Sequence, residues 1–341
     1  MRVYVMPANC RSFEDIRLVE RPDPVPGRGQ VLVRVRAASL NRRDAAIADG
    51  SYFGKPVQRE TVPLSDCAGE VAAVGDGVMT VKPGDRVAAT FFQIPPAGPA
   101  FAGEAALASP LDGVLAEQVV FYESGIVPIP AAMSFEEAAC LPCAGVTAWN
   151  ALMCAGRPIE PGQTVLTLGT GGVSIFALQF ALAAGAQVIV TSSSDAKLAR
   201  VRALGASATI NYAHSPEWNK EVAALTGGRG VDCVVEVVGV GTLERSFESV
   251  AEHGKVCLIG VLTGRRAPLN PYSLMWKQAS LHGIRVGTRG MFLQMNRASE
   301  ANGIKPVINT VVPFESAVDA WRLQASGNFI GKIVISLSEA T

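Results

Sequence analysis

No excess charge of either sign marks this sequence: its 341 residues carry 30 lysines and arginines against 30 aspartates and glutamates. No block of like charge breaks that balance, which argues against nucleic acid or a membrane surface as a main partner. No apolar run is long enough to span a bilayer. The most apolar stretch, residues 174–190, is interrupted by Gln179, Gly185 and Gln187 and reads as a buried helix followed by a strand. The opening "MRVYVMPANCRSFED" lacks the apolar core of a signal peptide. Histidine is scarce, with three, and the seven cysteines are an odd, scattered set. Such a set suits a reducing cytoplasm better than a disulfide framework, so a cytoplasmic location is expected. The "CLPC" of residues 140–143 has redox-motif spacing, but no second pair or thioredoxin-like strand accompanies it. Two small thiols packed at a helix start is the favoured reading.

What is present falls into two rhythms. The first 125 or so residues are strand-like: "VLVRVRAASL" alternates apolar and basic residues, and "GEVAAVG" and "GDRVAAT" flank a "KPGD" turn. From about Ala131 short apolar strands ("TVLTL", "QVIVT", "SATI", "VDCVVEV", "KVCLIGV", "LHGIRV") alternate with helix-length segments, the pattern of a parallel, doubly wound sheet. After about Glu300, "PVINTVVPF", a helix from Glu315 and "GKIVISL" resume the β pattern. The expected organisation is a Rossmann domain, residues 127–299, inserted into a mostly antiparallel β domain, residues 1–126 and 300–341. The cleft between them is the default binding site.

The first strand of the second half runs into "GTGGVS", residues 169–174, with the spacing of a dinucleotide fingerprint and Ser174 at the third glycine. Gly169 permits the tight turn, Gly171 lets backbone approach a pyrophosphate, and the phosphates then sit on the helix N-terminus beside Gly172 and Val173. At the tip of the second strand "TSSSDAK" offers Ser192, Ser193 and then Lys197. A carboxylate about 4 Å from a 2′-phosphate would repel it by roughly 4 kcal/mol at an effective dielectric of 20. Hydroxyls and a cation there favour NADP(H), with NAD(H) as the alternative; Ser194 also caps the following helix.

Taken in order, "AASLNRRD", "LSDCAGEVAAVGDGV", "VKPGDRV", "LPCAGVTAW", "LGTGGVSIFALQFA" and "FIGKIVI" resemble the medium-chain dehydrogenase/reductase superfamily of alcohol dehydrogenases and quinone oxidoreductases. The resemblance implies a GroES-like β domain plus a Rossmann domain. Zinc-bearing members carry Gly-His-Glu where this chain has Ser65 and Asp66, and a ligand cysteine where it has Asn41; only Cys143 matches a ligand position. Residues 90–113, which match the structural-zinc lobe, contain no cysteine. Zinc needs three protein ligands, so no metal is expected, Asp66 is expected to order the cleft by hydrogen bonds, and Cys67 to be a packed thiol; a rearranged site from Asp66, Cys67 and Cys143 is the alternative. The histidines His214, His253 and His282 all fall in the second rhythm.

Without a metal, hydride addition to a conjugated acceptor is easier than to a simple ketone, because charge spreads into an enolate or hydroquinone. By resemblance, Tyr52 and Asn41 are the catalytic candidates. Asn41, Thr147, Tyr212, Gly239, Gly260, Thr288 and Lys332 join the glycine turn as cofactor contacts. Arg42 and Arg43 read as solvated arginines on a turn, with attraction of an anionic substrate as the alternative. Phe53, Phe91, Phe92, Trp149, Trp276 and Phe292 read as ordinary core or else as a substrate wall. The expected activity is NADPH-dependent, zinc-independent reduction of a small apolar quinone or α,β-unsaturated carbonyl by a homodimer. The alternatives are an NAD(P)-dependent alcohol dehydrogenase and a cofactor-binding sensor or structural protein with little turnover.

Overall fold

A computed structural model describes residues 1–93, 105–264 and 266–337. Part of the cysteine-free segment 90–113 therefore lies outside the described residues. The chain divides into two compact units, Met1–Cys143 with Thr288–Thr341, and Ala144–Gly287.

Strands are numbered in chain order. The first unit holds β1 (Arg2–Val5), β2 (Arg17–Glu20), β3 (Gln30–Ser39), β4 (Asp66–Val74), β5 (Arg86–Ala89), β6 (Gln118–Tyr122) and β7 (Ile126–Pro128), and the returning β14 (Ile308–Pro313) and β15 (Lys332–Ser336). β1 and β2 pair antiparallel. The main sheet runs β14-β15-β3-β4-β5-β7, with β6 also on β3. Its pairings are antiparallel except β14 with β15. Along β3 the alternation seen in the sequence places Val31, Val33 and Val35 in the core while Arg34 faces water. Trp321 from the helix Val318–Ser326, with Met6, Leu64 and Leu115, fills that core. This helix begins three residues after Glu315, because Phe314–Ser316 forms a separate 3-10 turn.

The second unit holds β8 (Thr164–Leu168), β9 (Gln187–Ser192), β10 (Ala208–Asn211), β11 (Val231–Glu236), β12 (Val250–Leu258) and β13 (Ser280–Gly283). All are parallel, in the order β10-β9-β8-β11-β12-β13. The order reverses at β8, the switch point of a Rossmann sheet, where dinucleotides bind at the strands' carboxyl ends. β8 is buried along its whole length, which is why it reads as a continuous apolar run.

The seams between the units fall elsewhere than the change of rhythm. The helix Arg289–Ala301 packs with the first unit through Arg289 Nε on the Ile126 carbonyl and Asn296 Nδ2 on that of Pro128, each at 3.0 Å. Two aromatics expected in the core are not there: Phe53 is 58% and Trp276 77% exposed. Phe53 has φ +53° in a tight turn, and Trp276 ends the short helix Tyr272–Trp276. Phe91, Phe92 and Phe292 are buried, and the half-buried Trp149 packs edge-on against Phe180. No helix among the described residues is long and apolar enough to cross a membrane.

One buried cation ties the second unit together. Lys255 on β12 is 5% exposed, and its ammonium donates to the carbonyls of Leu152 (3.1 Å), Ala155 (2.7 Å) and Arg157 (2.8 Å). These lie where the helical run Asn150–Cys154 ends, so the charge meets the negative end of the peptide dipoles. Lys255→Met should therefore leave the Ala155 and Arg157 carbonyls without their donor, while that of Leu152 keeps the Ile159 N–H, and cost about 3 kcal/mol. Urea denaturation of the purified variant measures it.

Candidate functional site

The second unit supplies a cradle at the end of β8. Gly169 adopts φ +72°, and a Cβ added at Gly169 or Gly171 would meet nothing within 4 Å. Backbone N–H groups at the start of the helix Gly172–Ala183 thus face open space, as a phosphate site requires. Gly172 and Val173 are half-buried at this edge. Ser174, where the fingerprint has its third glycine, is buried and donates its hydroxyl to the Leu168 carbonyl at 2.7 Å. A small side chain is tolerated there because it returns to the strand it packs on.

At the neighbouring strand end Ser192 is buried and accepts from the Ser194 N–H, Ser193 is exposed, and Lys197 is half-buried. Burial holds the Lys197 ammonium below its usual range. Tyr212, 43% exposed, follows β10 and donates its N–H to the Ser192 carbonyl at 3.0 Å. The carboxylate of Asp195, at the start of the next helix, accepts from Asn211 Nδ2 at 2.7 Å. Thr147 is buried on the helix Val146–Trp149. Thr288 caps the helix Arg289–Ala301, accepting the Met291 N–H at 3.2 Å.

Gly239 and Gly260 answer a backbone constraint. A Cβ on Gly260 would lie 1.7 Å from the Val237 carbonyl oxygen, and one on Gly239, at φ +105°, 2.9 Å from the Gly260 oxygen. Sequence reasoning missed the residue that shapes this loop. Glu236, fully buried at the end of β11, accepts from the N–H groups of Val238 and Gly239 and from the hydroxyls of Thr242 and Ser246. The signal was an acidic residue closing an apolar strand, "VDCVVEV".

The first unit supplies a buried polar cluster. Asn41 stands at the N-terminus of the helix Arg42–Ala48. Lys332, 3% exposed on β15, donates to the Leu40 carbonyl (2.5 Å) and to Asn41 Oδ1 (2.7 Å), and lies 4.0 Å from Asp66 Oδ2. By occupying Oδ1, Lys332 fixes which end of the Asn41 amide is left: Nδ2 is buried without a hydrogen bond. Asp66 accepts from Ser65 Oγ at 2.8 Å and from the Cys143 N–H at 3.0 Å. Burial pushes its carboxyl up, opposed chiefly by the Lys332 ammonium.

This cluster does not fit zinc. Both Asp66 oxygens are engaged, and the nearest cation is already an ammonium. Alternation along β4 turns Cys67 away from Asp66 into the apolar core. Among the described residues no three His, Cys, Asp or Glu side chains are placed to hold a metal.

Beside the cluster, Arg42 is exposed, but Arg43 is not the solvated arginine expected. One helical step turns it inward, so its guanidinium lies over the rings of Tyr52 (5.0 Å) and Phe91 (4.7 Å). Nη1 donates to the Leu107 carbonyl at 2.8 Å and Nε to Tyr52 Oη at 3.4 Å; Nη2 is buried with no partner. Tyr52 thereby keeps its own O–H proton available.

Asp44, 2% exposed, accepts the Asn41 N–H through Oδ2 at 2.6 Å and leaves Oδ1 unpaired. Burial, partly offset by the nearby Arg43, pushes its carboxyl from 3.8 up to about 6. A carboxyl raised on folding favours the fold while protonated, so its contribution falls as pH rises from about 4 to about 6. Asp44→Asn should therefore gain stability relative to the parent at pH 7 compared with pH 4, by up to about 3 kcal/mol. Denaturant titrations of both proteins at the two pH values test this.

Comparison with known proteins agrees with this architecture. Residues 27–131 match the alcohol dehydrogenase GroES-like domain and residues 172–301 the zinc-binding dehydrogenase domain. The chain is 40% identical to a zinc-type alcohol dehydrogenase-like protein of Schizosaccharomyces pombe, covering 98% of this chain and 99% of that one. It is 29% identical to rat (Rattus norvegicus) quinone oxidoreductase, covering 92% and 91%. A solved NAD-dependent alcohol dehydrogenase superposes with a TM-score of 0.89 at 34% identity over 99% of this chain and 100% of that one. A mycobacterial protein complexed with NADPH does so at 0.82 and 26%, over 98% and 99%. The chain thus belongs to the medium-chain dehydrogenase/reductase superfamily and is an NAD(P)H-dependent oxidoreductase.

Proposed function

We propose that this protein is a zinc-independent, NADPH-preferring reductase of quinones or α,β-unsaturated carbonyl compounds. The observation that supports the reading is that the buried cluster around Asn41 and Asp66 already holds the Lys332 ammonium, 2.7 Å from Asn41 Oδ1 and 4.0 Å from Asp66 Oδ2, while Asn41 Nδ2 has no hydrogen-bond partner among the described residues. When bound, the cofactor supplies a hydride to the electrophilic carbon of the acceptor. The chain supplies the rest. Gly169, Gly171, Gly172 and Val173 cradle the pyrophosphate. Tyr212 serves the adenosine end, and the family resemblance adds Thr147, Gly239, Gly260 and Thr288 as further cofactor contacts. Asn41 Nδ2 orients the ligand, with Lys332 holding the amide, and the Tyr52 hydroxyl donates to the oxygen on which negative charge grows.

NADPH preference rests on Ser192, Ser193 and Lys197 at the ribose end, where the carboxylate of Asp195 is drawn onto Asn211. Lys197→Ala should weaken NADPH binding about tenfold and leave NADH binding within about twofold, as read by nicotinamide fluorescence titration. The likeness to an NAD-dependent alcohol dehydrogenase favours a second reading, NAD-linked oxidation of an alcohol; the reverse preference in that titration would support it.

A homodimer and a cytoplasmic location complete the reading. The seven free cysteines support a reducing compartment. The edge strand β13, with Leu281 43% exposed and Trp276 beside it, supports a second copy as partner.

NADPH oxidation with a quinone and a linear enone, before and after exhaustive chelation, is the decisive assay. Turnover unchanged by chelation supports the reading, whereas loss restored by zinc overturns it. Tyr52→Phe should lower kcat roughly 10²-fold with NADPH affinity unchanged. NADPH binding without turnover of any acceptor would instead mark a sensor.

A further inference from the structure

We infer that Arg43 is a catalytic residue of this site, the cationic hydrogen-bond donor to the oxygen of the substrate that becomes negative during hydride transfer. The inference rests on the reductase reading and extends it. Its basis is the geometry of one side chain. Arg43 leaves the helix Arg42–Ala48 and lies between the faces of Tyr52 and Phe91, so its plane is fixed by two rings. Two of its three nitrogens are occupied, Nη1 by the Leu107 carbonyl and Nε by Tyr52 Oη. The third, Nη2, is buried with no partner among the described residues. A buried guanidinium N–H left unpaired is costly and calls for an acceptor.

The reductase reading supplies the acceptor that Nη2 lacks: a carbonyl oxygen in the ground state, an enolate or hydroquinone oxygen after transfer. Tyr52 completes the arrangement. Its oxygen accepts from Arg43 Nε, and its own proton can be given to the same acceptor. The step balances with a solvent proton as the one further reagent: the nicotinamide is oxidised by two electrons as the acceptor gains a hydride and that proton. The hydride and its electron pair pass from the reduced nicotinamide to the β-carbon of the acceptor, and the C=C π pair moves toward the carbonyl oxygen. Arg43 Nη2 and Tyr52 Oη hydrogen-bond the resulting oxyanion, and water delivers the proton to the α-carbon. Arg43 thus contributes the fixed positive charge that a Lewis acid contributes elsewhere.

The test uses the full-length protein with and without NADP+, and p-nitrophenol as a probe whose visible absorbance reports its ionisation. An oxyanion site should lower the ionisation pH of the bound phenol by about one unit or more relative to the free phenol. Arg43→Met should abolish that lowering, while the exposed control Arg42→Met keeps it, and circular dichroism and NADPH affinity check the fold. With a linear enone, Arg43→Met should lose about 10²-fold in kcat and recover part of it when guanidinium is added. Should Arg43→Met fail to fold, Arg43→Lys, which keeps the charge but lacks the fork, should show a reduced lowering. An equal shift in parent and Arg43 variants, or no shift in the parent, overturns the inference. If the parent reduces no acceptor yet shows an Arg43-dependent shift, the reductase reading fails and the oxyanion site stands. If the parent turns over and Arg43→Met matches it, the reductase reading stands and the role of Arg43 fails.

Discussion

A lysine ammonium removed from water has to be surrounded by acceptors, and where those acceptors come from decides what the lysine holds together. Lys332 draws its partners from three parts of the first unit: the Leu40 carbonyl at the end of β3, the side chain of Asn41, and Asp66 at the start of β4. The strand that bears it, β15, comes from the far end of the chain and pairs with β3. The polar cluster is thus assembled only when the C-terminal segment has returned to the sheet. Asp66 in turn takes the Cys143 N–H, so the same charge organises the entry to the helical segment that follows. A buried carboxylate, a buried amide and a backbone turn are all placed by one cation.

What the sequence disclosed is what local chemistry decides. Period-two alternation around Val31, Val33 and Val35, the apolar run of β8 and the glycine turn at 169–171 each depend on neighbours a few residues away. Both sheets were readable for that reason. The partners of Arg43, Lys255 and Glu236 were not, since they lie across the chain or at the far side of a loop. Arg42 and Arg43 look identical in a string. A turn of about 100° on the helix sends one into water and the other between two rings. The exposure of Trp276 and Phe53 was equally out of reach, because large aromatic side chains carry no mark of the face they occupy.

The two units handle charge in different ways. In the second, Lys255 meets the carbonyls at the end of a helix and Glu236 gathers donors from a loop. In the first, the cluster leaves two donors and one acceptor without partners among the described residues: Asn41 Nδ2, Arg43 Nη2 and Asp44 Oδ1.

The interlock of Gly239 with Gly260 limits how this chain can diverge. With the Gly260 α-carbon pressed onto the Val237 carbonyl and Gly239 pressed onto Gly260, the loops after β11 and β12 share one steric boundary. A methyl group at 260 cannot be absorbed by a side-chain rotation, because what it meets is backbone. Both positions are therefore held to glycine for as long as the two loops keep this course.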